Sequence, residues 1–257
     1  MLDYAAFPEQ RQSLIRQLLV QEGRVVCADL AEKWQVSEHT IRRDLQELAR
    51  EGVCKKVYGG AVSIVPPSGD LAARTEQGSA EKARLGAACA QLVKAGSCIF
   101  IDAGSTNLAL AHALPDDLAF TAVTNTPAIA VALMAHPHCD VIMLGGRLQR
   151  QSGGSVGITA QQQAAQIAFD QVFLGGCALD AEEGMTVFDY EDAAFKKSVM
   201  LRSNEVIMAM TAEKVPGVAR YSVASCEDIA VLVVERTLPA GMLAAFKEKN
   251  IRLVHPE

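Results

Sequence analysis

The chain has no apolar run near the roughly 18–20 residues that a membrane span requires, which sets aside a membrane-embedded protein and a membrane partner. Its opening stretch, "MLDYAAFPEQRQ", lacks the basic segment followed by an apolar one that marks a secretory leader, so a cytosolic (cytoplasmic) protein is expected. No C-x-x-C pair occurs among the seven cysteines, at positions 27, 54, 89, 98, 139, 177 and 226. Their odd number and wide spacing suggest neither a disulfide framework nor a zinc site. Neighbours such as "LGAAC", "SCIF" and "GGCAL" make them small core residues of a reducing compartment, and no metal or cofactor is expected.

A surplus of positive charge is missing as well. The net charge is −6, and residues 1–62 hold nine Lys and Arg against nine Asp and Glu, so the whole deficit lies beyond them. An acidic total weighs against a protein that coats nucleic acid without specificity. A reader of specific DNA needs only a local basic face. Internal repeats and low-complexity tracts are also absent.

What is present falls into three parts: 1–62, 63–80 and 81–257. In the first, "QRQSLIRQLLVQEG" sets Leu14, Ile15, Leu18 and Leu19 at helical spacing, and Gly23 stops the helix. "RVV" is a short extended piece, and "ADLAEKW" repeats the helical spacing with Leu30, Ala31 and Trp34. A third helix follows in "SEHTIRRDLQELAREG", and then "VCKKVYGGAV" alternates toward a Gly-Gly turn, as a short hairpin does. Three helices and a hairpin form a winged helix-turn-helix plan. The stretch 63–80 contains Pro66-Pro67 and Ser68-Gly69 and reads as a linker. Beyond it, apolar runs at 97–102, 119–124, 140–144, 170–175, 205–210, 229–234 and 251–254 are separated by helical patterns at 81–94, 106–114, 126–135, 158–168, 192–203 and 239–248. Apolar strands alternating with helices predict an α/β domain with a mostly parallel sheet covered on both faces.

The third helix carries the sharpest signal. At about 100° per residue, Leu45 and Leu48 lie within about 40° of Ile41, while His39, Arg43, Gln46 and Arg50 lie within about 40° of the opposite direction. Arg42 and Thr40 flank that outward face. Ser37 suits the N-cap, and Glu38 suits the positive end of the helix dipole. Thr40 stands where a capping box needs an acid or amide, so the box is incomplete. Arginine can donate two parallel bonds to a guanine edge in the major groove. The hairpin adds Lys55 and Lys56 on opposite faces, with Tyr58 beside Lys56, for phosphate contacts that position the module. A charged outer face is also ordinary for a surface helix, and Arg43 with Glu47 has the spacing of a routine i,i+4 pair. The order of helices and hairpin favours the DNA reading.

In the second domain, "IFIDAGSTNLALAHAL" is a strand, a small-residue loop and a helix. Gly104, Ser105, Thr106 and Asn107 would present hydroxyls and amides at a positive helix end, which suits a phosphate. "AVTNT" adds Asn125 and Thr126, and "MLGGR" adds Gly145, Gly146 and Arg147. Ligands collect at the carboxyl ends of strands in open α/β sheets, so these loops are expected to converge on a small anionic polyol. "LGGCALDAEEGMTVFDYEDAAFKK" supplies Asp180, Glu191 and Lys196. Each of these loop features also has a plain structural use as a turn, a cap or a solvated charge.

The stretch "VSEHTIRRDLQELAREGVCKKVYGGAV" resembles the N-terminal signature of the DeoR family of bacterial sugar-metabolism regulators, with its "S-x-x-T-I-R-R-D-L" helix and a wing ending in "GGA". The remainder resembles that family's sensor domain, which is similar in fold to ribose-5-phosphate isomerase. The family's acidic-x-Gly-[Ser/Thr]-Thr loop falls on Asp102 to Thr106, and its Thr-Asn loop on Thr124 and Asn125. Its Gly-Gly loop falls on Gly145 and Gly146, its Asp...Gly segment on Asp180 to Gly184, and its Glu...Lys helix on Glu191 and Lys196. The family's Asp-x-Ser-Lys is replaced by "TAEKVPG", with Thr211 for the aspartate and Glu213 for the serine, while Lys214 keeps the lysine. The resemblance implies a repressor of a carbohydrate operon. It would bind double-stranded operator DNA as a dimer or higher homo-oligomer and be released by a phosphorylated sugar. Two other readings stand beside it: a sugar-phosphate isomerase with an appended DNA-binding module, and a regulator that needs no ligand.

Overall fold

The computed structural model describes residues 7–257. The first six residues, including part of the stretch read for a leader, lie outside the described residues.

The N-terminal lobe runs α1 (Pro8–Glu22), β1 (Arg24–Val26), α2 (Cys27–Trp34), α3 (Glu38–Arg50), β2 (Cys54–Val57) and β3 (Gly60–Ser63). Pro8 opens α1, where its missing N–H costs nothing. Gly23 closes it in the left-handed conformation (φ 72°), its N–H donating to Leu19 O at 3.0 Å. The expected N-cap is in place on α3, where Ser37 Oγ accepts from the Thr40 amide at 3.1 Å. Ile41, Leu45 and Leu48 are wholly buried against Ile15, Leu19 and Leu30. Asp44 is buried too and pairs with Arg11, which fastens α3 to α1. The wing is a three-stranded antiparallel sheet in the order β1-β3-β2. Gly60 is required there, because a Cβ would lie 1.9 Å from Val25 O on β1.

Residues 63–80 do not form a plain linker. They hold α4 (Leu71–Glu76), capped by Asp70 through the Ala73 amide at 3.0 Å, and Ser79 already begins α5 (Ser79–Ala90). The second lobe continues with β4 (Cys98–Ile101), α6 (Ser105–Ala113), β5 (Phe120–Thr124), α7 (Pro127–Leu133), β6 (Cys139–Met143), β7 (Arg147–Leu148), β8 (Ser155–Val156) and α8 (Ile158–Ala164). Then come β9 (Gln171–Leu174), β10 (Ala178–Asp180), β11 (Gly184–Val187), α9 (Tyr190–Met200), β12 (Val206–Met210), β13 (Tyr221–Ala224), β14 (Val231–Val234), α10 (Ala240–Glu248) and β15 (Arg252–Val254). Seven strands form one sheet in the order β15-β14-β12-β9-β4-β5-β6, and every pair in it is parallel. An apolar core lies on each face, one around Phe100, Phe169 and Phe195 and the other around Leu85, Ile99 and Phe173. A second sheet, β10-β11-β13, is antiparallel.

The lobes meet along that second sheet. Val65 N donates to Val218 O at 3.0 Å, and Val218 N donates to Ser63 O at 3.1 Å. Arg24 lies 3.5 Å from Asp180, and Lys55 lies 2.5 Å from Glu183. Gly23 sits against Pro216 so closely that a Cβ would be 2.6 Å from its Cγ.

Candidate functional site

Two places carry the chemistry. On α3 the residues Ser37, Glu38, His39, Arg42, Arg43, Gln46 and Arg50 are exposed, and Thr40 is half-buried with its hydroxyl 2.9 Å from Ser37 Oγ. Arg42 pairs with Glu38 at 2.5 Å and Arg50 with Glu47 at 2.8 Å. Glu47 therefore serves Arg50 rather than Arg43, and Arg43 has no ion pair among the described residues. Lys55 and Lys56 are exposed on β2, and Tyr58 stands fully exposed at the tip of the wing. Lys55 is the wing cation already engaged, through Glu183 of the second lobe.

The second place is a cavity at the carboxyl ends of β4, β9 and β12. Gly104, Ser105, Thr106 and Asn107 line it from the start of α6, and Gly175, Gly176 and Cys177 from the end of β9. No side chain caps α6, so the first-turn amides keep free hydrogen-bonding capacity at the positive end of the helix. The Asn107 side chain is spent on structure: its amide donates to Asp102 O and Phe173 O, both at 2.9 Å. Under the loop, Asp102 is fully buried, and its Oδ2 accepts from Gly175 N at 2.8 Å and from Lys196 Nζ at 2.5 Å. Gly175 is required, since a Cβ would lie 2.4 Å from Ala103 O.

Lys196 is the floor of the cavity. Its Nζ also lies 2.9 Å from Asp192 Oδ1, one helical turn earlier on α9. Asp192 Oδ1 is held by that ion pair, and it is fully buried, as is Asp102 Oδ1. Burial pulls the lysine toward neutrality, yet the two carboxylates outweigh it and hold Lys196 above its ordinary value. Asp192 is pushed up by burial, against the opposing pull of Lys196. On the far wall, Lys214 is shifted down by burial, with Arg74 and Lys82 adding like-charge repulsion. Glu213, the added carboxylate of "TAEK", is exposed, bonds Thr211 Oγ1 at 3.3 Å and does not line the cavity.

Several expected cavity residues stand elsewhere. Asn125 and Thr126 are wholly buried, and Asn125 Nδ2 donates to Ser155 O at 3.1 Å. They anchor the loop that carries Gln149, Gln151 and Ser152 into the cavity. Gly145 and Gly146 lead away into the β7-β8 hairpin, where Gly145 N bonds the Gln163 side chain at 2.8 Å. Arg147 on that hairpin forms an exposed ion pair with Glu191, so neither reaches the cavity. Asp180 caps the β10-β11 turn through the amides of Glu182 and Glu183, at 3.0 and 3.1 Å, and faces Arg24. Cavity residues missed in the sequence are Arg74 on α4, the 149–152 loop and Asp192. Asp192 had a legible signal, its i,i+4 spacing to Lys196.

A winged helix-turn-helix joined to a parallel α/β lobe with a polar cavity defines a DNA-binding transcriptional regulator with a sensor domain. Comparison with known proteins gives the same answer. Residues 11–66 match the DeoR-like helix-turn-helix domain and residues 77–236 the DeoR C terminal sensor domain. The chain belongs to the DeoR family. It is 29% identical to the glycerol-3-phosphate regulon repressor of Escherichia coli (strain K12), over 95% of this chain and 97% of that protein. It is 30% identical to the HTH-type transcriptional regulator YgbI of the same strain, over 96% and 97%. GolR of Listeria innocua, also an HTH-type transcriptional regulator, is 29% identical over 95% and 97%. Among solved structures, ribose 5-phosphate isomerase A from Neisseria gonorrhoeae overlaps 52% of each chain at 16% identity, with a TM-score of 0.39. Among the described residues no helix is long and apolar enough to cross a membrane.

Proposed function

We propose that this chain represses a carbohydrate-metabolism operon in the cytoplasm, binding operator half-sites as a homo-oligomer and leaving them when a phosphorylated sugar fills the cavity. The observation that carries the effector class is the pairing of two unlike features in one cavity. Uncapped amides at the start of α6 and Lys214, which has no ion pair among the described residues, offer a place for a phosphate. The Asp192 carboxylate, which lines the cavity beside Lys196, offers an acceptor for sugar hydroxyls. Relatives named as a glycerol-3-phosphate regulon repressor and a putative aga operon transcriptional repressor support the repressor reading. Release requires that the ligand bind the DNA-competent and released states unequally.

A thermal-shift panel of sugar phosphates and their unphosphorylated parents tests this. A true effector at 100 times its Kd adds about 2.7 kcal/mol of stability and lowers operator affinity in a gel-shift titration. The parent sugar gives neither effect. Stabilisation by parent sugars and phosphates alike would refute the phosphate subsite. Interconversion of ribose 5-phosphate seen by NMR would favour the isomerase reading.

A further inference from the structure

The segment between the lobes forms part of the cavity wall. Ser68, Gly69 and Arg74 line it together with the α6 amides and Lys214. Arg74 belongs to α4, and its guanidinium donates only to neutral carbonyls: Gln151 O at 2.9 Å, Ser152 O at 3.3 Å and Asp70 O at 3.3 Å. Among the described residues no carboxylate pairs with it. Lys82, buried at the start of α5, donates to the carbonyls of Arg74 and Gln77 and so ties α4 down from the other side. Leu71 of α4 sits against Gly153, where a Cβ would lie 2.4 Å from Leu71 Cδ2. Arg74 thus clamps α4 to the 149–153 turn through bonds to uncharged acceptors. Close by, Lys214 feels its positive charge as repulsion.

An arginine and a lysine on one cavity wall, neither in an ion pair among the described residues, are satisfied together by a dianion. Arginine grips a phosphate through two parallel bonds in which both partners are charged, so a phosphate would outcompete the neutral Gln151 O and Ser152 O for the fork. We propose that Arg74 is the phosphate-gripping cation of this cavity, and that the effector therefore touches the interdomain segment itself. The proposal rests on the reading of the cavity as a sugar-phosphate site and adds the residue that reads the phosphate and the element it moves. That element is directly attached to the DNA-binding lobe: Val65, nine residues before Arg74, is bonded to Val218 at the seam between the lobes.

The test uses the full chain, with glycerol 3-phosphate, ribose 5-phosphate and inorganic phosphate as probes. Calorimetry measures affinity, and hydrogen exchange follows residues 66–78. At least one phosphate probe is expected to bind the unaltered protein and change exchange in 66–78. Arg74→Gln weakens that probe roughly 10–100-fold, the loss of one hydrogen bond to a charged group. Arg74→Lys, which keeps the charge but not the fork, falls between, and it replaces Arg74→Gln should the latter melt early. Equal affinity for the unaltered protein and both variants, with exchange in 66–78 unchanged, overturns the role of Arg74 and leaves the cavity reading intact. Absence of binding by every phosphate probe to the unaltered protein overturns the cavity reading and this proposal with it.

Discussion

Helix α3 and the sensor cavity both gather cations, and they hold them in opposite ways. On α3, Arg42 and Arg50 are exposed and paired within their own helix, while Arg43 stands open to water. In the cavity, Lys196 is buried between Asp102 and Asp192, one carboxylate from a distant strand end and the other from the preceding turn of α9. Exposed charges are cheap to display and contribute little to stability. A buried charge survives only when partners offset its desolvation. The first arrangement keeps charge ready for a partner from outside. The second spends most of its charge on holding the site together, leaving Lys214 and Arg74 for a ligand.

The contrast can be tested from its strongest consequence downward. Lys196→Met leaves two buried carboxylates without their cation and is expected to cost about 3–5 kcal/mol in urea unfolding at neutral pH. An unchanged midpoint would break the contrast. Arg43→Ala should cost about 1–3 kcal/mol in operator binding by fluorescence anisotropy, with folding stability unaltered within about 0.5 kcal/mol. Operator affinity equal to that of the unaltered protein would count against a base contact. Sugar-phosphate affinity should decline as pH rises toward the alkaline range. Burial has shifted Lys214 below the ordinary lysine value, so its charge is lost at a lower pH than that of a surface lysine. Flat calorimetric affinity across that range would remove Lys214 from the site. Lys55→Ala should flatten the salt dependence of DNA binding by about one unit of slope. Its exposed pair with Glu183 should matter by less than about 1 kcal/mol in thermal unfolding.

The same contrast explains what the sequence disclosed. The reading face of α3 follows from one helical period and one cap, all within residues 37–50, so its orientation was legible before any coordinates. The inner parallel strands were legible because they are apolar runs buried on both faces, as β9, β12 and β14 are throughout, while the edge strands β6 and β15 are partly exposed. The cavity was legible from local pattern where a single loop makes it, at Gly104 to Asn107, and through the family resemblance at Lys196 and Lys214. Helix α4 was hidden behind Pro66-Pro67 and Gly69, although Asp70 three residues before Ala73 is a cap signal. Arg147 follows a strand end in the chain, yet the backbone turns there into a hairpin and delivers the side chain to Glu191. Asp180 was expected at the ligand because the family's Asp...Gly segment falls on it. Three residues of strand carry it out of the cavity to the seam.

That short strand has a mechanical consequence. β10 starts immediately after Cys177 in the cavity wall and ends at Asp180, which faces Arg24, with Glu183 gripping Lys55 just beyond. At about 3.3 Å of rise per residue, such a strand is a strut of roughly 10 Å. It is hydrogen-bonded to β11 along its whole length, so it has no slack to absorb a displacement. One short paired strand thus links the cavity wall at Cys177 to the two ion pairs that hold the wing.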